Sequence, residues 1–345
     1  MFEKRALLAF LIAAISSAAA QDIPSDRITV AGGFTPIPLT IKAGEQLVNK
    51  SPQYKPPNIL YNDTTVGFKL FCSGSGLDTP SINTGTRRIR PAELETCNKN
   101  GVSEIVEFNL GRDALVAAQA PGGRLSALSR KALFLAMARE VPDPKDSARL
   151  VANPYRSWKD IDPALPDTKI QILAPATGIG LNATHISAIV LPGCRQVEHF
   201  KAIEANDPKA FEAACKNFRK DGAYVEYDRS PSAIQEIKGN QDLVGIVALT
   251  MVLKDNLRTL NLDNMEPTVV NVSRNTYDLT FPMVVYVKKR HVDLIPGFKE
   301  FLAELTSEAA VGTTGYFYAM GVIPLPLVER KQMRADVETL KVLVK

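Results

Sequence analysis

Apolar positions along this chain follow two habits: short uninterrupted runs, and residues spaced three and four apart. Arg27–Ala31, Lys169–Leu173, Leu243–Leu249 and Met283–Val287 are runs that predict strands. The last two show no alternation and are expected to be buried on both faces. Glu104–Ala118 reads as two short strands broken at Gly111. Helices are predicted where Leu128, Ala132, Leu135 and Ala136 share a face, and where Phe298, Phe301, Leu302 and Leu305 do. Asp207 is placed to cap a helix with Pro208 at its first position and Phe211, Ala214, Cys215 and Phe218 inward. Ser230-Pro231 starts another, with Ile234 and Ile237 inward. An extended apolar segment (Val66, Phe68, Leu70) is expected to run into Cys72, and Glu45–Asp63 and Pro142–Pro154 read as irregular connections. Strands alternating with helices throughout predict an α/β fold.

Three glycine-containing junctions interrupt this pattern: Gly32–Pro38, Ser73–Arg87 and Thr177–Asn182. Glycines and small hydroxyl residues let bare backbone N–H groups and O–H groups converge on one point, and a guanidinium adds charge from the side. Loops at the carboxyl ends of strands in an open α/β sheet are where ligands lie, so the three junctions are expected to converge on one ligand. The candidate ligand-binding residues are Phe34 and Thr35 from the first, Ser73, Ser75, Thr86 and Arg87 from the second, and Thr177, Gly178, Gly180 and Asn182 from the third.

A length of 345 residues exceeds what one core usually organises and predicts two lobes. The balance of 41 Lys+Arg against 37 Asp+Glu is too even and dispersed for a nucleic-acid partner. Residues 1–20 carry Lys4-Arg5, the apolar run Ala6–Ile15 and small residues up to Ala20, the pattern of a cleaved secretory signal that leaves Gln21 first. Cys72, Cys97, Cys194 and Cys215 suit an oxidising compartment. Three pairings are open; Cys72–Cys97 and Cys194–Cys215 are favoured because each closes a short local loop. His185, His199 and His291 are scattered, so neither a metal nor any other cofactor is expected.

The order and wording of these segments resemble the periplasmic phosphate-binding proteins of ABC transporters, members of the two-lobed class II periplasmic binding fold. The resemblance rests on Ile28–Pro38, Cys72–Gly76, Gly85-Thr86-Arg87 with Pro91-Ala92-Glu93, Trp158–Asp167 and Gly321–Pro326. It implies a monomeric, exported receptor, without enzymatic activity, that closes around inorganic phosphate or a related oxyanion and docks on membrane permease subunits. It also implies one lobe from residues 21–110 and 281–345 and another from 111–280, with hinge crossings near Asn109–Asp113 and Asn275–Phe281. Thr35, then Ser73 or Ser75, then Thr86-Arg87 match the family's first-lobe donors. The second lobe departs from the pattern: Ala174–Leu181 lacks the family's arginine and hydroxyls, so a phosphonate or phosphate ester suits it nearly as well. Two other readings are a phosphoester hydrolase using Ser73, Ser75 or Thr86, and a ligand-free signalling or structural protein. No motif supplies a base for the former, since His185 is expected at a surface or capping position.

Overall fold

The computed structural model describes residues 26–33, 35–143, 145–177 and 180–343. The signal-peptide segment and the candidate residues Phe34 and Gly178 lie outside the described residues.

In the first part of the chain, β1 (Thr29–Gly32) leads to α1 (Ile37–Lys50), β2 (Asn58–Tyr61) to α2 (Thr64–Phe71), and β3 (Ile82–Gly85) to α3 (Pro91–Lys99). A long strand, β4 (Ile105–Gln119), carries the chain into its second part, where β5 (Ala127–Leu128) precedes α4 (Arg130–Met137). Next come the hairpin of β6 (Glu140–Asp143) with β7 (Asp146–Ala152), then α5 (Trp158–Ile161) and β8 (Ile172–Pro175). Helices α6 (Gly180–His185), α7 (Leu191–Arg195), α8 (Glu198–Asn206) and α9 (Pro208–Cys215) follow, with one π-helical turn at Ile186–Val190. After β9 (Tyr224–Tyr227) and α10 (Ser230–Gly239) come β10 (Val244–Ala248), α11 (Leu249–Lys254), β11 (Arg258–Thr259) and β12 (Asn261–Leu262). Strand β13 (Thr280–Lys288) returns the chain to the first half, which helices Phe298–Leu305 and Leu327–Glu338 complete.

One sheet runs through the molecule in the order β2-β1-β3-β13-β4-β10-β8-β9, with β11 on β4. Strand β4 pairs with β13 from Ile105 to Ala114 and with β10 from Leu115 to Ala118, so the sheet changes partners within a single strand. The expected break at Gly111 is therefore a continuous strand. Glycine is required there by packing, because a Cβ would sit 2.3 Å from Val322 Cγ1. Pro282 falls at a bulge in β13, where it takes no ladder hydrogen bond away, and Asn109 Oδ1 accepts from the N–H groups of Met283 and Gly111 beside it.

Expected strands at Arg27–Ala31, Leu243–Leu249 and Met283–Val287 correspond to β1, β10 and β13, all buried. Asp207 caps α9 by accepting from the N–H groups of Lys209 and Ala210, and Phe211 and Cys215 face inward. Three readings are corrected. Glu45–Asp63 contains the end of α1 and the whole of β2. Val66–Leu70 is helix, because Asp63 accepts from the N–H groups of Thr65 and Val66 and so starts α2. Its inward face is then Phe68 and Phe71, which pack with Tyr286; burying each stabilises by roughly 1.5–3 kcal/mol. Pro142–Pro154, expected as a loop, holds the β6–β7 hairpin.

Both local disulfides are present, Cys72–Cys97 joining the end of α2 to α3 and Cys194–Cys215 joining α7 to α9. Among the described residues no helix is long and apolar enough to cross a membrane, and no group of three or more His, Cys, Asp or Glu is placed to hold a metal.

Candidate functional site

Strands β1, β2 and β3 are mutually parallel through β1, as are β8, β9 and β10 through β8, so each half of the sheet presents three carboxyl ends together. Each end leads into a helix within six residues. A cavity of about 460 Å³ lies between the two sets. Thr35 comes from the β1–α1 loop, Gly180 and Leu181 from α6, Asp228 from the end of β9, and Ala248, Thr250 and Met251 from the β10–α11 junction. Asp113 on β4, Phe281 and Met283 on β13, and Met320, Gly321 and Val322 from the tail form the remaining wall where the halves meet. The two sides approach closely at one point: a Cβ on Gly180 would lie 3.6 Å from Thr35 Oγ1.

The β1–α1 loop owes its shape to Gly32, whose φ of +122° is open to glycine and strained for other residues, and where a Cβ would meet Thr84 O at 2.1 Å. Pro36 and Pro38 carry no N–H, so this helix start offers fewer donors than its position suggests. Next to it, Gly33 and Gly85 both abut Thr64 at the start of α2, where a Cβ would come within 3.0 Å and 2.7 Å of its side chain. The junction that sequence reasoning missed is this one, Asn62-Asp63-Thr64. Its signal was available in Asp63 as a helix cap after the apolar run Ile59-Leu60-Tyr61.

Ser73 and Ser75 lie at the opposite end of α2, about 12 Å of helix away from Thr64. Ser73 Oγ donates to Leu70 O at 2.7 Å. The Ser/Gly loop turns its carbonyls, not its N–H groups, inward: Lys288 Nζ donates to Gly74 O and to Thr79 Oγ1, each at 2.6 Å, and Ser75 O is 3.1 Å from His291 Nε2. A helix carboxyl end gathers acceptors, which is why a cation of the protein itself fills this loop. Burial pushes the Lys288 ammonium down to about 7.

Thr86 and Arg87 follow β3 as expected, but the guanidinium of Arg87 is occupied. Its two terminal nitrogens donate to Glu93 at 2.8 and 2.6 Å, one also to Thr65 Oγ1 at 3.1 Å, and it lies over the Phe68 ring. Burial alone would lift the Glu93 carboxyl; the bonds from Arg87 and the Arg90 N–H outweigh it and hold Glu93 below the usual range. In the second half Thr177 is exposed and Asn182 Nδ2 donates to Pro175 O at 2.7 Å, which ties the loop to its own strand. Of the described candidates, Thr35 and Gly180 line the cavity; Ser73, Ser75, Thr86, Arg87, Thr177 and Asn182 are not among its lining residues.

Asp113 is the buried polar group at the centre of the junction. Its carboxylate accepts from Thr250 Oγ1 at 2.7 Å, from Thr250 N at 3.3 Å and from Ala114 N at 2.7 Å. Burial pushes its acid up to about 7 in spite of these bonds. Beside it, Arg112 binds Ser273 O and Glu329 by its side chain and exchanges backbone bonds with Ile323, fastening the tail across the point where β4 changes partners. His185 is also unlike its expectation. It is fully buried with both ring nitrogens unpartnered, 6.5 Å from the Phe218 ring, and burial pushes it down to about 4.

A family model described as the PBP superfamily domain matches residues 16–309. The chain belongs to the PBP superfamily. Among solved structures, it is similar to a possible phosphate binding protein from Planctomyces limnophilus DSM 3776, at 18% identity and a TM-score of 0.63, covering 91% of this chain and 98% of that one. An ABC-type phosphate transport receptor from Vibrio cholerae matches at 15% identity and a TM-score of 0.56, over 87% and 100% of the two chains. A phosphate ABC transporter substrate-binding protein from Clostridium perfringens, solved with bound phosphate, matches at 16% identity and a TM-score of 0.51, again over 87% and 100%. No curated protein sequence matches. At these identities the likeness is one of fold: two α/β lobes on a curled sheet, joined where β4 and β13 cross.

Proposed function

We propose that this PBP superfamily member is the exported substrate-binding protein of an ABC importer, and that it takes a solute with a phosphate-type oxyanion head in the cleft between its lobes. The observation that carries the reading is the convergence of strand-to-helix junctions from both lobes on one cavity, with Thr35 and Gly180 within contact distance across it. The starts of α6 at Gly180-Leu181 and of α11 at Thr250-Met251 give the cleft partial positive charge from the second lobe. Hinge motion near Asn109–Asp113 and Asn275–Phe281, where β4 leaves and β13 re-enters the first lobe, would open and close the cleft. The lobes are 21–110 with 281–345, and 111–280. Export is supported by residues 1–20 and by the two disulfides. The protein acts as a monomer that presents its closed lobes to membrane permease subunits.

A catalytic reading finds no support in the cavity. No histidine lines it among the described residues, and its hydroxyls, Thr35 and Thr250, have no adjacent base other than Asp113, which Thr250 already engages.

Thermal unfolding of the purified protein with phosphate, phosphonates, phosphate monoesters and sulfate tests the reading. A true ligand at a hundredfold excess over its dissociation constant stabilises by about 2.7 kcal/mol. Absence of a shift with every oxyanion would overturn it.

A further inference from the structure

We infer that the solute is a zwitterion: a phosphonate or phosphate monoester that carries an ammonium group on a short carbon chain. This rests on the reading of the interlobe cleft as the solute site and concerns what fills it beyond the oxyanion head.

The first argument is charge. The described lining residues include Asp113 and Asp228 and no lysine, arginine or histidine. Phe34, Gly178 and Ile179, which adjoin the cleft loops in sequence, are uncharged. Arg87, the cation of the β3 loop, is spent on Glu93. A bare dianion would meet the Asp228 carboxylate with no cationic side chain to offset it, whereas a ligand bringing its own cation matches that charge.

Donor supply agrees. Pro36 and Pro38 remove N–H groups from the start of α1, and the Thr250 hydroxyl already donates to Asp113. Asp113 is already served by Thr250 and Ala114, which leaves the exposed Asp228 carboxylate on the cavity wall to take donors from a solute. An ammonium supplies three.

Size and lining give the carbon chain. The cavity holds about 460 Å³, room for roughly fifteen waters at ~30 Å³ each, while phosphate has five heavy atoms. Met251, Met283, Met320 and Phe281 are among the lining residues, and methionines pack against methylene chains of varied shape.

Isothermal titration of the purified protein with 2-aminoethylphosphonate, ethylphosphonate and inorganic phosphate tests this. The expected result is at least tenfold tighter binding of 2-aminoethylphosphonate than of either comparison. Asp228→Asn, at an exposed position, should remove most of that preference without shifting the melting temperature. Met320→Lys, which adds a cation to the cavity wall, should tighten inorganic phosphate and weaken 2-aminoethylphosphonate. Phosphate or ethylphosphonate binding as tightly as the amine would overturn the zwitterion and leave the oxyanion site standing. A preference unchanged in both variants would also overturn it. No heat with any of the three would overturn it together with the reading of the cleft.

Discussion

Asp113 on the crossing strand accepts from both the hydroxyl and the N–H of Thr250, the second residue of α11, at 2.7 and 3.3 Å. The pair pins the first turn of a second-lobe helix to the strand shared by both lobes, and it does so with an acid whose ionisation burial opposes.

The pH dependence of this pair follows from the direction of the shift. An acid raised from 3.8 to about 7 binds more protons folded than unfolded between those values. Ionised Asp113 therefore costs stability that is absent below the lower value and fully present above the upper one. Asp113→Asn should gain stability relative to the parent as pH rises through that window, read from urea unfolding at pH 4, 5.5 and 8. Thr250→Val, which leaves the carboxylate without its strongest donor, should lose about 1–3 kcal/mol at pH 8.

His185 should set the acid limit of the second lobe. A base depressed from 6.5 to about 4 by burial contributes no penalty above 6.5, and stability falls as pH drops toward 4 because the unfolded chain takes up the proton first. The loss over this window is on the order of 3 kcal/mol. His185→Leu should flatten the profile between pH 6.5 and 4. It should also raise stability at pH 7, since it removes two buried unpartnered nitrogens. Parallel profiles for the two proteins would contradict this account.

Arg87 is expected to act on the fold more than on the solute, because its guanidinium is engaged by Glu93. Arg87→Ala strands a Glu93 that is 16% exposed at the side chain, and should destabilise by about 1–3 kcal/mol. The Arg87→Ala/Glu93→Ala double variant should recover part of that loss, and solute affinity in either should stay within threefold of the parent. Calorimetry and denaturant titration separate the two effects.

Gly180 faces Thr35 across the cleft, so bulk there obstructs closure. Gly180→Val should lower solute affinity at least tenfold while leaving the unliganded melting temperature within about 2 °C, because Gly180 is exposed and has no buried neighbour to displace. Equal affinity would show that the lobes do not close at this point.

By itself the sequence determined the α/β alternation, the buried strands at Leu243–Leu249 and Met283–Val287, the Asp207 cap and the local disulfide pairs. Each of these is encoded over a few residues: an unbroken apolar run, a cap followed by proline, two cysteines a short loop apart. The positions of Thr35 and Gly180 on glycine-containing strand-to-helix turns, which line the cavity, were legible for the same reason. Only the tertiary structure decided which end of α2 abuts the β1–α1 loop. Val66, Phe68 and Leu70 fit an alternating pattern as well as a helical one, and the choice fell to Asp63, whose capping bonds set Thr64 against Gly33 and Gly85 and leave Ser73 and Ser75 past the far end of the helix. The partners of Arg87, Asp113 and Lys288 were likewise beyond local reading. Glu93 lies six residues from Arg87, Thr250 lies 137 from Asp113 and Gly74 lies 214 from Lys288. Whether such a group meets a ligand or is spent inside the protein depends on what the fold brings against it.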